Sequence, residues 1–214
     1  MDHSDIKSFA LQLHYIFKSE TLIAEAFHHS SYVNEQVRGG MRDNERLEFL
    51  GDAVINLVVG HILMNRFPDL KEGDLSRMRA NLVNESQLAQ VARTIDLGSH
   101  IMLGKGEMQT NGREKSSILA DTFEAVIAAV YLDGGFEAAY KVIEIHLASL
   151  LDAINRPDSN QDYKSQLQEL VQITFHQVPM YNVIKEDGPD HDKTFKVQLA
   201  VHNLTTEGTG KSKN

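Results

Sequence analysis

The stretch NERLEFLGDAVINLV, residues 44–58, decides how this chain is read. Leu47, Phe49, Leu50, Val54, Ile55 and Leu57 are spaced to seat a helix on a core. The pattern runs on to Phe67, where Pro68 stops it because a proline ring cannot continue a helix. Glu45, Glu48 and Asp52 interrupt the apolar residues. At about 3.6 residues per turn, positions i, i+3 and i+7 fall in one narrow stripe, so the three acids project together. Asp121 and Glu124 repeat the device at i, i+3 in a second apolar segment, flanked by Ile118, Leu119, Phe123, Val126 and Ile127.

Two readings of these acids are open from spacing alone. In one they are solvated faces of amphipathic helices, which is what charge runs usually are. In the other the two groups converge. Crowded carboxylates raise one another's pKa unless a divalent cation neutralises them. Oxygen donors in a chain without cysteine favour Mg²⁺ or Mn²⁺ over zinc. Such a site can activate a water and stabilise charge on a phosphate during in-line displacement.

Composition sets the outer bounds. With 214 residues, 42% hydrophobic and 24% charged, the chain can form one large domain or a medium one plus a small one. No run of eighteen apolar residues occurs, so no membrane span is expected. The start, MDHSDIKSFALQLHYIF, has acids where a secretory signal needs positive charge. Its Ile6, Phe9, Leu13 and Phe17 recur at helical spacing and predict a structural helix. The lack of cysteine excludes disulfides and cysteine zinc sites, and is compatible with a reducing cytoplasm. A net charge of −9 argues against a nucleic-acid partner unless a local cationic surface overturns it, since binding to phosphates runs on their neutralisation.

Residues 5–150 read as almost wholly helical. Ser19 is the expected N-cap of a helix from Glu20 to about His28, followed by the loop VNEQVRGGMRD. A helix after KEGDLS carries Arg77, Met78, Leu82 and Val83; Asn84 and Gln87 form a capping-box pattern for the next, ending near Gly98. GKGEMQTNGRE (104–114) reads as a surface loop and lacks the order of a phosphate-binding P-loop. Helix returns at SSILADTFEAVIAAVYL, is punctuated by Gly134-Gly135, and resumes over about 136–151. The polar segment 155–162, NRPDSNQD, reads as a linker between domains at 1–154 and 163–214. Beyond it, a helix over 163–175 is expected, then strands in YNVIKEDG and TFKVQLAVHN around the turn GPDHDK. Phe195, Val197, Leu199 and Val201 alternate as in a half-buried strand, and LTTEG suits a short third one.

NERLEFLGDAV resembles the signature of the ribonuclease III family, the double-stranded-RNA endonucleases. The resemblance extends to EGDLSRMRANLV (72–83) and GREKSSILADTFEAVIAAVYLDGG (112–135), so three blocks stand in family order. FHHSSYVNE (27–35) is similar to the family's early histidine-serine segment, more weakly. The resemblance implies an all-α nuclease domain of the ribonuclease III type. It implies that Glu48, Asp121 and Glu124 bind the catalytic Mg²⁺, for which Mn²⁺ can substitute, and that Asp52 and Glu124 are the active-site pair. Glu45 and Glu72 become accessory acids on the substrate side or at a second metal. Products carrying a 5′-phosphate and a 3′-hydroxyl follow, with each of two subunits cutting one strand. Phe49 would pack into the second subunit of a homodimer; periodicity leaves open that it is an ordinary core residue. Processing of ribosomal and other RNA precursors in the cytoplasm is the role the family suggests.

DYKSQLQELVQ and GPDHDKTFKVQL resemble a double-stranded-RNA-binding domain, a small α+β fold that reads A-form shape. By that match Gln166 and Glu169 would face one minor groove and His191 another, with Lys211 and Lys213 opening a basic segment for phosphates. The family continues past GTGKSK into a closing helix, so the domain is expected here without its last helix, its sheet uncovered around Val197 or Leu199. Residues 161–214 hold six Lys+Arg against seven Asp+Glu, so no basic excess helps RNA binding there. Arg77, Arg79, Arg113 and Lys115 lie near the motifs and are candidate phosphate contacts or ordinary surface cations. Glu25 and His28 make an E-x-x-H, but a di-iron carboxylate protein needs two such motifs, so His28 reads as a packing or capping residue. A non-catalytic double-stranded-RNA-binding relative is the alternative; it would normally have lost one of Asp52, Asp121 and Glu124, and all are retained.

Overall fold

The first nineteen-odd residues of one helix explain the larger half of this structure, a computed structural model describing residues 3–36, 40–154, 163–188 and 193–210. The chain divides into two compact units, Met1–Arg156 and Pro157–Asn214. In the first, α1 (His3–Gln12), α2 (Glu20–Ala26), α3 (Ser30–Asn34), α4 (Glu45–Arg66), α5 (Glu72–Leu82), α6 (Glu85–Thr94), α7 (Leu97–His100) and α8 (Lys105–Gln109) precede a 3₁₀ turn at Gly112–Glu114 and α9 (Ser116–Ile154). Early α9 is apolar over most of its circumference: Ile118, Leu119, Ala120, Phe123 and every residue from Ala125 to Val130 are buried, leaving Ser117, Asp121 and Glu124 along one edge. A helix with so wide an apolar surface must be central, and the others pack against it. Gly135, at φ 78 and ψ −172, breaks α9 after its core segment.

Helix α4 is the main partner of α9. It buries Leu47, Val54, Ile55, Val58, Val59, Ile62 and Leu63, each worth roughly 1.5–3 kcal/mol. By length and composition α4 could cross a bilayer, but 44% of that window is buried within the protein. Gly51 sets the closeness of the pair. A Cβ there would stand 1.9 Å from the carbonyl oxygen of Glu124, so only glycine lets the two backbones touch.

The other elements follow the expected pattern with local departures. Ile6, Phe9 and Leu13 are buried, and Phe9 meets Phe27 edge-on at 5.1 Å. Helix α1 ends before His14, whose φ is 57, so Phe17 packs from beyond it. Ser19 is the N-cap residue of α2, but its hydroxyl bonds Thr21 instead of a helix amide. Asp133 takes the amides of Lys18 (2.9 Å) and Ser19 (2.8 Å) and the hydroxyl of Tyr15 (2.6 Å), tying the chain before α2 to α9. Asn84 accepts from the Gln87 amide at 3.0 Å; the buried Oε1 of Gln87 has no partner among the described residues, so only half the capping box forms.

Several helices differ from the expected bounds. Helix α2 stops at Ala26, short of His28, and α6 stops at Thr94, where left-handed Asp96 (φ 49) starts the separate α7. The segment after His28 holds α3, and 104–114 holds α8 and a 3₁₀ turn. These turns are bound from afar. The Gly104 amide donates to Ser31 Oγ (2.9 Å) and the Lys105 amide to Glu35 Oε1 (2.7 Å), partners some seventy residues away.

The second unit is α10 (Tyr163–Phe175) followed by an antiparallel sheet in the order β1 (Met180–Asp187), β2 (Thr194–Val201), β3 (Leu204–Gly210). His202 adopts φ 50 in the tight turn that pairs Val201 with Leu204. Strand β3 runs to Gly210, longer than expected. Val171, Phe195 and Val201 are buried, whereas β1 and β3 are exposed along their length. Leu167, Leu170, Leu199 and Leu204 line an apolar groove of about 490 Å³. Val197 and Leu199 are half-buried, and Leu204 is the most exposed apolar side chain of that face.

Candidate metal centre

Two apolar helices in backbone contact leave one place where acids can meet. Glu48 projects from the first turn of α4, and Asp121 and Glu124 from successive turns of α9, beside the backbone contact of Gly51 with Glu124. One carboxylate oxygen from each lies within 4.8 Å of the others. The second reading of the acids, convergence, therefore describes these three. All are half-buried.

The electrostatics register the crowding. Burial, then the charges of Asp52, Asp121 and Glu48, push the Glu124 carboxyl up to about 8. Glu48 is raised by burial, then by Asp121, Glu45 and Asp52. Asp121 is raised by burial and Glu85, with His29 opposing. The bare protein must keep protons here that a divalent cation would displace. An all-carboxylate donor set suits a hard cation bound through oxygen, so the residues present fit such an ion.

The remaining acids stand around this set. Asp52 is exposed one turn beyond Glu48, and the Asn56 amide donates to its Oδ1 at 2.8 Å. Glu45 is exposed beside Glu48. Glu72 opens α5, where its Oε1 accepts from the Ser76 hydroxyl at 2.8 Å, and it is not one of the three gathered acids. Among the described residues no other group of three or more potential ligands gathers, so Glu25 and His28 form no second centre. The capping role falls to His29, whose Nδ1 accepts from the Ser31 amide at the start of α3; His28 instead pairs with Met102.

Three of the four candidate phosphate-binding cations are held internally. Arg113 donates to the carbonyls of Gly98 and Ser99, Lys115 pairs with Glu107 at 2.7 Å, and Arg77 with Asp74 at 2.6 Å. Arg79 lies across α4 at Gly60. Gln166 and Glu169 fall on α10, but their side chains lie outside the described residues, as do His191, Lys211 and Lys213. Phe49 is not a core residue: it is 81% exposed, and Leu57 and Met64 continue an apolar stripe along the same helix. Sequence reasoning passed over Gly51. A glycine inside an apolar helix costs about 1 kcal/mol relative to alanine, which was the available signal of a close approach.

Residues 19–151 match the family described as Ribonuclease-III-like, and residues 163–214 match the double-stranded RNA binding motif. The chain is 48% identical over 190 residues to Ribonuclease 3 of Myxococcus xanthus, covering 88% of this chain and 73% of that protein. With Ribonuclease 3 of Geobacter metallireducens the identity is 45% over 219 residues, covering 99% and 89%. The solved nuclease domain of ribonuclease III from Campylobacter jejuni superposes with a TM-score of 0.63 at 41% identity, covering 67% of this chain and 96% of that one. With both units matched and the similarity running along nearly the whole sequence, the chain belongs to the ribonuclease III family.

Proposed function

We propose that the protein is a metal-dependent endonuclease that cleaves double-stranded RNA, leaving 5′-phosphate and 3′-hydroxyl ends. The observation that carries this reading is the meeting of Glu48, Asp121 and Glu124 from two helices. Those three would hold Mg²⁺ or Mn²⁺, which supplies Lewis acidity and neutralises charge at the scissile phosphate. Asn56 orients Asp52 through Oδ1, leaving its Oδ2 to accept a proton from the attacking water. Glu124 completes the active-site pair. Glu45 and Glu72, outside the cluster, serve the substrate side. In the second unit Gln166, Glu169, His191, Lys211 and Lys213 are assigned to the RNA duplex. The retained acids favour catalysis over a purely RNA-binding role.

The same reading makes the protein a homodimer that works on RNA precursors, ribosomal ones included, in the cytoplasm. The exposed Phe49 stripe on α4 supports the dimer. One Campylobacter jejuni nuclease-domain structure was described for flexibility in a region involved in dimer formation. A labelled RNA duplex incubated with Mg²⁺ should be cut, and EDTA should stop the cutting. Glu124→Gln should abolish cleavage while RNA retention in a gel shift stays near that of the natural protein, and light scattering of this uncut complex-free variant should give a dimer mass. Near-normal turnover by Glu124→Gln, or an intact duplex beside an active control nuclease, overturns the reading.

A further inference from the structure

Among the described residues only two polar ones are buried as whole residues, and they are bonded to each other. Asn44, 3% exposed, stands at the N-cap position of α4; Thr122, 0% exposed, lies in α9 between Asp121 and Glu124. The Asn44 side-chain amide donates to Thr122 Oγ1 at 3.5 Å and to the carbonyl of Ala26 at 3.2 Å. Its backbone amide donates to His28 O at 2.9 Å, and its carbonyl accepts from the Glu48 amide at 2.8 Å. One residue therefore links the end of α2, the first turn of α4 and the helix that carries the other two acids. Burying amide and hydroxyl groups in an apolar wall is costly unless they are bonded, and a hydrophobic pair could fill the same space.

Their placement explains the choice. Gly51 fixes α4 against α9 at Glu124, and the buried side chains that follow, from Val54 to Leu63, hold the helix beyond it. On the other side of Glu48, toward the start of α4, only Leu47 is buried apolar surface. Asn44 supplies a second point about 10 Å along α4, since seven residues rise about 1.5 Å each. Glu48 lies between the two points. On α9, Thr122 immediately follows Asp121 and precedes Glu124 by two residues, and it is buried while they are half-buried. Cation–oxygen distances tolerate shifts of only about 0.2 Å, so a pivot too small to unfold anything would still misplace a ligand.

We infer that Asn44 and Thr122 are positioning residues: their long buried hydrogen bond, together with the bonds of Asn44 to Ala26 and His28, sets the start of α4 against α9 so that Glu48 meets Asp121 and Glu124. This rests on the metal-centre reading above. Thr122→Val keeps the shape and removes the acceptor. Mn²⁺ binding to the full chain without RNA, followed by the electron paramagnetic resonance of the free ion, should weaken about tenfold in Thr122→Val, the scale on which outer-layer partners tune a metal site. Thr122→Ser should restore it. Cleavage by Thr122→Val should approach the natural rate at saturating Mn²⁺. Adding Thr122→Val to Asn44→Ala should cost no further Mn²⁺ affinity, because the bond is already gone. Unchanged Mn²⁺ binding in Thr122→Val, beside a Glu124→Gln control that has lost it, overturns the inference whatever happens to the melting temperature. Natural Mn²⁺ binding in Glu124→Gln would instead overturn the metal-centre reading itself.

Discussion

Helix α9 and strand β2 each sit at the centre of a unit, but they are covered to different depths. Early α9 is buried except along the edge that carries Asp121 and Glu124, and is touched by α2, α4 and α6. Strand β2 has a neighbour on each edge, yet in its unit only Val171, Phe195 and Val201 are buried among the described residues. The contrast matches what the two jobs demand. Holding carboxylates around one ion needs placement to a fraction of an ångström, which a thick, close-packed wall provides. Following the shape of an RNA helix through sugars and phosphates tolerates a thinner, more compliant platform.

The largest effect that would sharpen this contrast is expected at Gly51. Gly51→Ala drives a methyl group into the Glu124 carbonyl, so α4 and α9 must separate. Displacing ligands by about 1 Å can cost roughly 100-fold in rate, and overpacking of this kind costs about 1–3 kcal/mol. We expect cleavage to fall at least about 100-fold, with RNA binding by the second unit retained. Full activity in Gly51→Ala would show that the wall is softer than its packing indicates.

Acidity and metal removal test the same wall. The folded carboxyl of Glu124 titrates at about 8 against an ordinary value of 4.5, so the folded state holds a proton that the unfolded chain has lost between these values. Its contribution is therefore fully present below pH 4.5 and is lost as pH rises through about 8. Glu48 and Asp121, also raised, act in the same direction. Metal-free protein should lose stability across that window, on the order of 2 kcal/mol after allowing for partial solvent screening. Mg²⁺ should restore it increasingly at higher pH, because only the ionised acids bind. Glu124→Gln should flatten the metal-free profile. Thermal melts in EDTA that rise with pH over this range would contradict the crowding.

The sequence carried the helices of this wall and its acids, because both are written in local spacing. Glu48 with Asp52 and Asp121 with Glu124 are both one-turn patterns, and the three blocks around them stand in family order. Periodicity could not carry the outward turn of Phe49, which depends on which arc of α4 meets α9. Nor could it show α8, started by bonds to Ser31 and Glu35, or the internal commitments of Arg113 and Lys115. Asn44 and Thr122 carry no pattern of their own in the sequence. Their bond spans seventy-eight positions, and nothing local announces it.

The smallest effect concerns the thinner unit. Val201→Ala removes two methyl groups from a side chain that is 8% exposed, costing about 1–2 kcal/mol at roughly 0.8 kcal/mol per buried carbon. In the nuclease unit, one such loss is spread over a core that reaches from Ile6 to Leu151 and should barely move its transition. Here the three side chains buried among the described residues share the load, so the same loss is a large fraction of what holds α10 to the sheet. Calorimetry of the full chain should show the lower transition shifted down by several degrees and the upper one unmoved. Metal should move only the upper transition. If Val201→Ala shifts both transitions together, the two units share their stability, and the division of labour between a rigid wall and a compliant platform fails.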